Sequence, residues 1–122
     1  MAAAPQPLEF PRAMRIKQGR DFSRVRREGR RLVVGCLIAN WQRLPESSTA
    51  RLGVVVSGKV GNSVARSRAR RLLRESFRIH QHELAQPLDL VLIARPSIAR
   101  KKLAEVEKDF LTTLRKAELL KE

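Results

Sequence analysis

The hydrophobic positions of the chain form several runs without helical spacing. Residues 31–43 (RLVVGCLIANWQR) and 51–57 (RLGVVVS) are rich in Val, Leu and Ile. Residues 89–95 (DLVLIAR) form a third run of this kind, which Pro96 ends. Branched and apolar residues at this density are typical of strands packed in a sheet. The pattern therefore predicts a small β-sheet whose last strand comes late in the chain.

Helical spacing occupies the rest of the chain. A short helix is predicted to start near Asp21, with Phe22 and Val25 on one face, and to end at Gly29. A long helix is predicted from an N-cap at Asn62 or Ser63, and its apolar side carries Ala65, Ala69, Leu72, Leu73 and Ile79. Residues 101–120 predict a final amphipathic helix, with its inward positions at Leu103, Val106, Phe110, Leu114 and Ala117. The order of helix, two or three strands, helix, strand and helix indicates an α+β sandwich.

Length and composition indicate one domain. A chain of 122 residues suits a single modest core, and the prolines near its start predict a flexible arm over residues 1–14 that precedes a domain over 15–122. The apolar runs are too short for a membrane span, and the N-terminus lacks the apolar region of a signal peptide, so we expect a cytoplasmic protein. Cys36 is the single cysteine and lies in an apolar run, which predicts a buried, inert thiol.

The charge balance points to a polyanionic partner. Lys and Arg number 26 against 12 Asp and Glu, a net charge of +14. Nineteen of these cations are arginines, whose planar forks suit phosphate and bases, so nucleic acid is favoured over a membrane surface. A first basic patch is predicted on the short helix, at Arg20, Arg24, Arg26 and Arg27.

The strongest local signal is a row of arginines on the long helix. Arg66, Arg70, Arg74 and Arg78 recur every four residues, flanked by Arg71. A solvated face usually alternates acids and bases, whereas like charges at this spacing repel, so the row favours an anionic ligand over simple solvation. Gly58 and Gly61 predict a tight turn before the helix, where free N–H groups and Lys59 suit a phosphate.

Several catalytic chemistries are disfavoured. Gly53, Gly58 and Lys59 are spaced as in a nucleotide-binding P-loop, but Val60 stands where Ser or Thr is needed and the intervening valines predict a strand. His80 and His82 are two residues apart on a helix, so they do not face one metal ion. We find no nucleophile with a base at a recognisable spacing, Glu75 is expected to pair with an arginine, and no catalytic or metal-binding residue is predicted.

The segment KVGNSVARSRARRLLRESFR resembles the signature K-x-G-N-A-V-x-R-N-R-x-K-R-x-x-R-E of the bacterial ribonuclease P protein component. DFSRVRREG is similar to the family's first helix, RLGVVVS to the strand before the signature, and DLVLIARPS to a later strand. The chain departs from the pattern at Gly58, Ser63, Ser67 and Arg70. Arg26 replaces a common aromatic of the first helix, and an aromatic common in the first strand is absent, with Asn40 or Trp41 nearby.

The resemblance implies the order α-β-β-β-α-β-α, a mixed sheet of about four strands, a left-handed βαβ crossover and a fold like ribosomal protein S5 domain 2. It implies a ribonucleoprotein endonuclease, with Mg²⁺ held mainly by a catalytic RNA that removes the 5′ leader of precursor tRNA. Partners are then the catalytic RNA and precursor tRNA, with no membrane and no small-molecule cofactor. A structural RNA-binding protein, such as a ribosomal protein, is the alternative.

The resemblance also assigns the residues that contact RNA. Those expected on the catalytic RNA are Lys59, Asn62, Arg66, Ser67, Arg68, Arg70, Arg71 and Arg74. Candidates for the leader, in a cleft between the sheet and the first helix, are Phe22, Arg26 and Ser57. Spacing alone would place Phe22 in the core.

Overall fold

The structure is a computed structural model that describes residues 8–122. Its helices are α1 (Gly19–Glu28), α2 (Ser63–His80) and α3 (Leu103–Lys116). Its strands are β1 (Arg30–Val34), β2 (Leu37–Arg43), β3 (Arg51–Val55) and β4 (Leu88–Ala94). The order α1-β1-β2-β3-α2-β4-α3 confirms the expectation from the resemblance. No helix within residues 8–122 has both the length and the apolar character needed to cross a bilayer.

The four strands form one mixed sheet in the order β1-β2-β4-β3. β2 pairs antiparallel with β1 and with β4, whereas β3 pairs parallel with β4. A parallel pair needs a crossover connection, and α2 provides it between β3 and β4. β1 and β3 are therefore the two edges of the sheet.

The single strand predicted over residues 31–43 is wrong, because the chain turns back at Gly35 and Cys36. Gly35 has φ +54°, a left-handed conformation that favours glycine. A Cβ atom at Gly35 would lie 2.1 Å from a carboxylate oxygen of Asp109. That carboxylate accepts a hydrogen bond of 3.0 Å from the Cys36 backbone N–H, so α3 holds the hairpin turn in place.

Most of the core lies on one face of the sheet, under α2 and α3. β4 contributes alternate leucines to it, and α2 and α3 contribute Phe77 and Phe110. The inward positions predicted for α3 are confirmed at Val106, Phe110 and Leu114, but the prediction for α2 missed Phe77, which is fully buried. Cys36 is buried as predicted, and burial together with Asp109 raises the pKa of its thiol to about 12.

The N-terminal segment packs on the domain before residue 15. Of the arm predicted over residues 1–14, residues 1–7 lie outside the described residues. The Phe10 ring meets the Phe77 ring edge to face at 5.6 Å, and Met14 also contacts the core. The Ile16 N–H donates to the Leu52 carbonyl at 2.9 Å, which ties the segment to β3. The packed domain therefore begins earlier than the predicted boundary.

Candidate nucleic-acid interface

Small residues build the junction between β3 and α2. Ser57 Oγ accepts a hydrogen bond of 3.3 Å from the Lys59 N–H and caps the short 3-10 turn Gly58–Val60. Gly61 has φ +148°, a conformation that side-chain-bearing residues rarely adopt. Asn62 Oδ1 accepts a hydrogen bond of 2.9 Å from the Ala65 N–H, which confirms Asn62 as the N-cap. The predicted RNA contact of Asn62 is thus left to its NH2 group.

The predicted contacts on α2 differ in exposure. Lys59, Ser67 and Arg71 are exposed, whereas Arg66, Arg70 and Arg74 are half-buried. Arg68 donates from Nη2 to the Lys101 carbonyl at 2.5 Å, so it also fastens α2 to the segment before α3. We call the set of Lys59, Arg66, Arg68, Arg70, Arg71 and Arg74 the α2 basic surface.

Arg78, the last member of the predicted arginine row, is engaged within the protein. Its guanidinium hydrogen-bonds both carboxylate oxygens of Glu75, and its Nη1 donates to the Leu8 carbonyl at 3.1 Å. The hydrogen bond from Arg78 lowers the pKa of Glu75. Glu75 is therefore the ion-pair partner that the sequence predicted, and the row available to a ligand is shorter than expected.

Arg74 belongs to a basic pocket of about 390 Å³ at the β3 edge of the sheet, between α2 and the segment that precedes α1. Arg12, Arg15 and Lys17 line it together with Arg74, and Phe22 forms part of its wall. Burial and the neighbouring charges of Arg15 and Arg70 lower the pKa of Arg74. Four cations around one small pocket favour an anion such as a phosphate.

A buried carboxylate holds α1 on the second face of the sheet. Asp89 of β4 is fully buried and accepts hydrogen bonds of 2.8 Å from Arg51 Nε and Nη2 and of 2.5 Å from Arg24 Nη2. Asp21 lies 3.6 Å from Arg24 and 3.8 Å from Arg51. Arg24, predicted as part of a basic patch, instead serves this internal ion network. Sequence reasoning missed Asp89, although an acid inside an apolar strand was a visible signal.

Phe22 lies over Gly53 of β3. A Cβ atom at Gly53 would come within 2.5 Å of the Phe22 ring, so the ring occupies space that only glycine leaves free. The ring packs beside Ile16, Val25 and Val91 and yet remains half-buried, at the wall of the basic pocket. Phe22 is therefore both a packing residue and a residue that a ligand can reach. Arg26 is exposed one helical turn further along α1.

Beyond α1 the second face of the sheet is open. Strand register aligns one residue from each strand across it: Val33 with Ile38, Ile38 with Ile93, and Ile93 with Val55. The edge members Val33 and Val55 are 47% and 39% exposed. We call these four residues the open apolar row. Sequence reasoning did not predict the row, because its members come from four separate strands.

The aromatic absent from the first strand is not replaced on the open face. Trp41 belongs to the core on the α2 and α3 side and is 6% exposed. Asn40 lies on the α1 face, since its register partner Val91 packs with α1. Phe22 is thus the aromatic residue of this chain that lines the cleft side of α1.

Residues 8–122 contain no group of three or more His, Cys, Asp or Glu side chains placed to hold a metal ion. His80 lies between two carboxylates, with Glu107 at 2.6 Å from Nε2 and Glu83 beside Nδ1. The two carboxylates lie on opposite sides of the imidazole ring, so they do not converge on one ion. The donor set of the described residues therefore does not fit a Mg²⁺ site.

Comparison with known proteins places the chain in a family. The profile of the family described as Ribonuclease P matches residues 10–118. The ribonuclease P protein component of Gluconacetobacter diazotrophicus is 39% identical over 109 residues, which cover 87% of this chain and 92% of the relative. That of Alkaliphilus metalliredigens is 34% identical over 110 residues, covering 87% and 95%.

Solved structures agree with the sequence matches. The Staphylococcus aureus RNase P protein superposes with a TM-score of 0.81 at 27% identity, over 90% of this chain and 100% of that one. The Thermotoga maritima RNase P protein gives a TM-score of 0.74 at 26% identity, over 84% and 96%. These matches do not favour the alternative of a ribosomal protein. The chain therefore belongs to the ribonuclease P protein family, the protein subunit of an endoribonuclease complex.

Proposed function

We propose that this subunit binds the catalytic RNA through the α2 basic surface and the 5′ leader of precursor tRNA on the open side of the sheet. The observation that carries the proposal is the open apolar row, which has Phe22 on the same face of the sheet and the basic pocket beside it at the β3 edge. Bases and phosphates of a single strand need such a combination of surfaces.

The α2 basic surface suits the backbone of a folded RNA. Its exposed members, Lys59 and Arg71, have no ion-pair partner among residues 8–122. The N-terminal end of α2 adds unpaired backbone N–H groups and the positive end of the helix dipole. Each phosphate neutralised there releases counterions, so binding should weaken steeply as salt rises.

The leader would lie on the α1 face of the sheet. Phe22 offers a ring for base stacking, and Val33 and Val55 offer exposed apolar surface beside it. Arg15 and Lys17 in the basic pocket would meet the leader's phosphates. Arg26 and Ser57, which are both exposed, remain candidate contacts. Stacking and phosphate contacts do not depend on the base sequence. A subunit that serves many precursor tRNAs needs contacts of this kind.

Cleavage itself is proposed to occur on the RNA. No group of three or more His, Cys, Asp or Glu side chains in residues 8–122 is placed to hold a metal ion, and the resemblance to the family assigns Mg²⁺ mainly to the RNA subunit. The contribution of the protein is to hold substrate and to lower the repulsion between two RNAs, for which its net charge of +14 is suited. It should matter most when Mg²⁺ is scarce.

The test is reconstitution with the cognate catalytic RNA and precursor tRNA. We expect the protein alone to cleave nothing and the RNA alone to be slow at low Mg²⁺. Adding the protein should raise cleavage, and the gain should be larger for a precursor with a leader of several nucleotides than for one with a single leader nucleotide. An equal gain for both substrates would contradict leader binding by the protein. No gain with either substrate would contradict the proposed function as a whole.

A charge-neutralising variant tests the α2 basic surface. Lys59→Gln with Arg71→Gln is preferable to a change at Arg68, whose hydrogen bond to Lys101 also supports the fold. The variant should bind the catalytic RNA more weakly. The slope of log K against log salt concentration should be shallower by about 1.5 to 2, since each duplex phosphate contact contributes about 0.9 to it. Lys108→Gln with Lys121→Gln, at two exposed lysines outside this surface, is the control. Equal slopes for the two variants would contradict the assignment.

A further inference from the structure

A second basic groove lies at the free edge of β1. It has a volume of about 780 Å³ and lies between the ends of β1 and β2 and the C-terminal end of α3. Its cations are Arg30, Arg31, Arg43 and Lys116, and its acids are Glu28 and Glu118. The groove shares no lining residue with the basic pocket beside Phe22 or with the α2 basic surface.

The positive charge of this groove is not balanced from within the protein. Glu28 is already occupied by Arg27 at 3.7 Å and by Gln42 Nε2 at 3.4 Å. Within residues 8–122 the four cations of the groove form no ion pair, and the three arginines and Lys116 are exposed. One acid, Glu118, is left against four cations.

The placement of the strand arginines is unfavourable for the isolated protein. Arg30 pairs with Trp41, and Arg43 follows Trp41 by two residues, so the two arginines lie diagonally on the same face of neighbouring strands. Like charges on neighbouring strand positions repel. Lys116 has a separate explanation, because a cation in the last turn of α3 is stabilised by the helix dipole. An anionic ligand would offset the repulsion at Arg30 and Arg43.

Two features distinguish this groove from the leader site. Arg30 and Arg43 lie on the face of the sheet that α2 and α3 cover, because they share it with Trp41, whereas the open apolar row is on the other face. Trp41 in the groove wall is a residue only 6% exposed, so the groove offers no open ring on which an unpaired base can stack. Its chemistry fits the phosphates of a helical RNA, whose bases are hidden.

We propose that the β1-edge groove binds the sugar–phosphate backbone of a helical segment of the catalytic RNA, as a second contact separate from the α2 basic surface. This inference rests on the proposed function, in which the same RNA binds α2. The subunit would then touch the catalytic RNA at two sites on the α2 and α3 side of the sheet and leave the α1 face to the leader.

The test compares two variants that lose the same charge. Arg30→Gln with Arg43→Gln removes two exposed cations of the groove, and Lys108→Gln with Lys121→Gln removes two exposed cations outside it. Dissociation constants for the cognate catalytic RNA are measured over a range of salt concentrations. The groove variant should show a slope of log K against log salt shallower by about 1.5 to 2, and the control variant should match the wild type. Affinity of the reconstituted holoenzyme for precursor tRNA should not change.

The possible outcomes separate the two proposals. If wild-type protein does not bind the catalytic RNA, the proposed function fails and this inference fails with it. If the wild type binds and the groove variant has the same salt slope as the control variant, the groove does not contact the catalytic RNA, and the proposed function is unaffected. Loss of precursor-tRNA affinity with unchanged binding of the catalytic RNA would overturn the inference by assigning the groove to the substrate.

Discussion

The two faces of the β-sheet differ in how much of each is covered by helices. One is closed by α2 and α3 over a core of leucine and phenylalanine side chains, among which Phe77, Leu90 and Phe110 are almost wholly buried. The other is covered at one end only, by α1, which a small apolar cluster and the Asp89 ion network hold in place. Its remaining area keeps valines partly in water.

The difference separates stability from binding. Buried apolar area supplies most of the free energy of folding, so the closed face should carry most of the stability. An apolar row left in water costs stability that folding alone does not recover, and such surface usually marks a binding site. Substitutions on the closed face should therefore mainly lower stability, and substitutions on the open face should mainly weaken binding.

Equivalent truncations on the two faces give the largest contrast. Leu90→Ala, at a fully buried position, should lower the free energy of unfolding by about 2–5 kcal/mol, because it removes buried methyl groups and leaves a cavity. Val55→Ala, at a position 39% exposed, should cost less than about 1 kcal/mol but weaken leader binding. Urea unfolding followed through Trp41, and binding of precursor against mature tRNA, check both. A larger stability loss for Val55→Ala than for Leu90→Ala would contradict the assignment of stability to the closed face.

A smaller effect is expected from the ion network that holds α1. Asp89→Asn keeps the shape of the side chain but leaves Arg24 and Arg51 without their buried counter-charge, at a cost of about 1–3 kcal/mol, since both arginines are partly solvated. Because Phe22 is carried by α1, leader affinity should fall too, while affinity for the catalytic RNA is retained.

Asp21→Asn is the matched control for Asp89→Asn. Its contacts of 3.6 and 3.8 Å are long and partly exposed, so its loss should cost less than about 1 kcal/mol. Equal effects of the two substitutions on stability and leader affinity would show that burial of Asp89 is not what holds α1.

The sequence predicted the closed face better than the open one. Helical spacing located α2 and α3 and most of their inward residues, because that pattern is local. The turn at Gly35 was hidden inside one continuous apolar run, and Phe77 was overlooked. The open apolar row and the contact of Phe22 with Gly53 depend on register between strands distant in sequence, which no local pattern encodes. Likewise, the sequence predicted Arg78 and Arg24 as parts of basic surfaces for a ligand, whereas the structure pairs Arg78 with Glu75 and Arg24 with Asp89.

The smallest effect concerns His80, at the seam between α2 and α3 on the closed side. Burial disfavours its charged form, but hydrogen bonds with Glu83 and Glu107 outweigh burial and raise the pKa of His80 above its usual value. A raised pKa means that protonated His80 stabilises the fold fully below its unfolded-state pKa of about 6.5, and that this stabilisation is lost as pH rises through the folded-state pKa.

His80→Gln, which cannot be protonated, isolates this contribution. The wild type should exceed the variant in free energy of unfolding most clearly at mildly acidic pH, and the gap should narrow as the pH is raised. Urea unfolding of both proteins at several pH values between 5.5 and 9 measures the gap. A gap that widens with pH would mean that His80 is stabilised in its neutral form. Since His80 lies on the closed side of the sheet, leader affinity at a fixed pH should be the same for both proteins. An altered leader affinity would show that the closed side also contributes to leader binding.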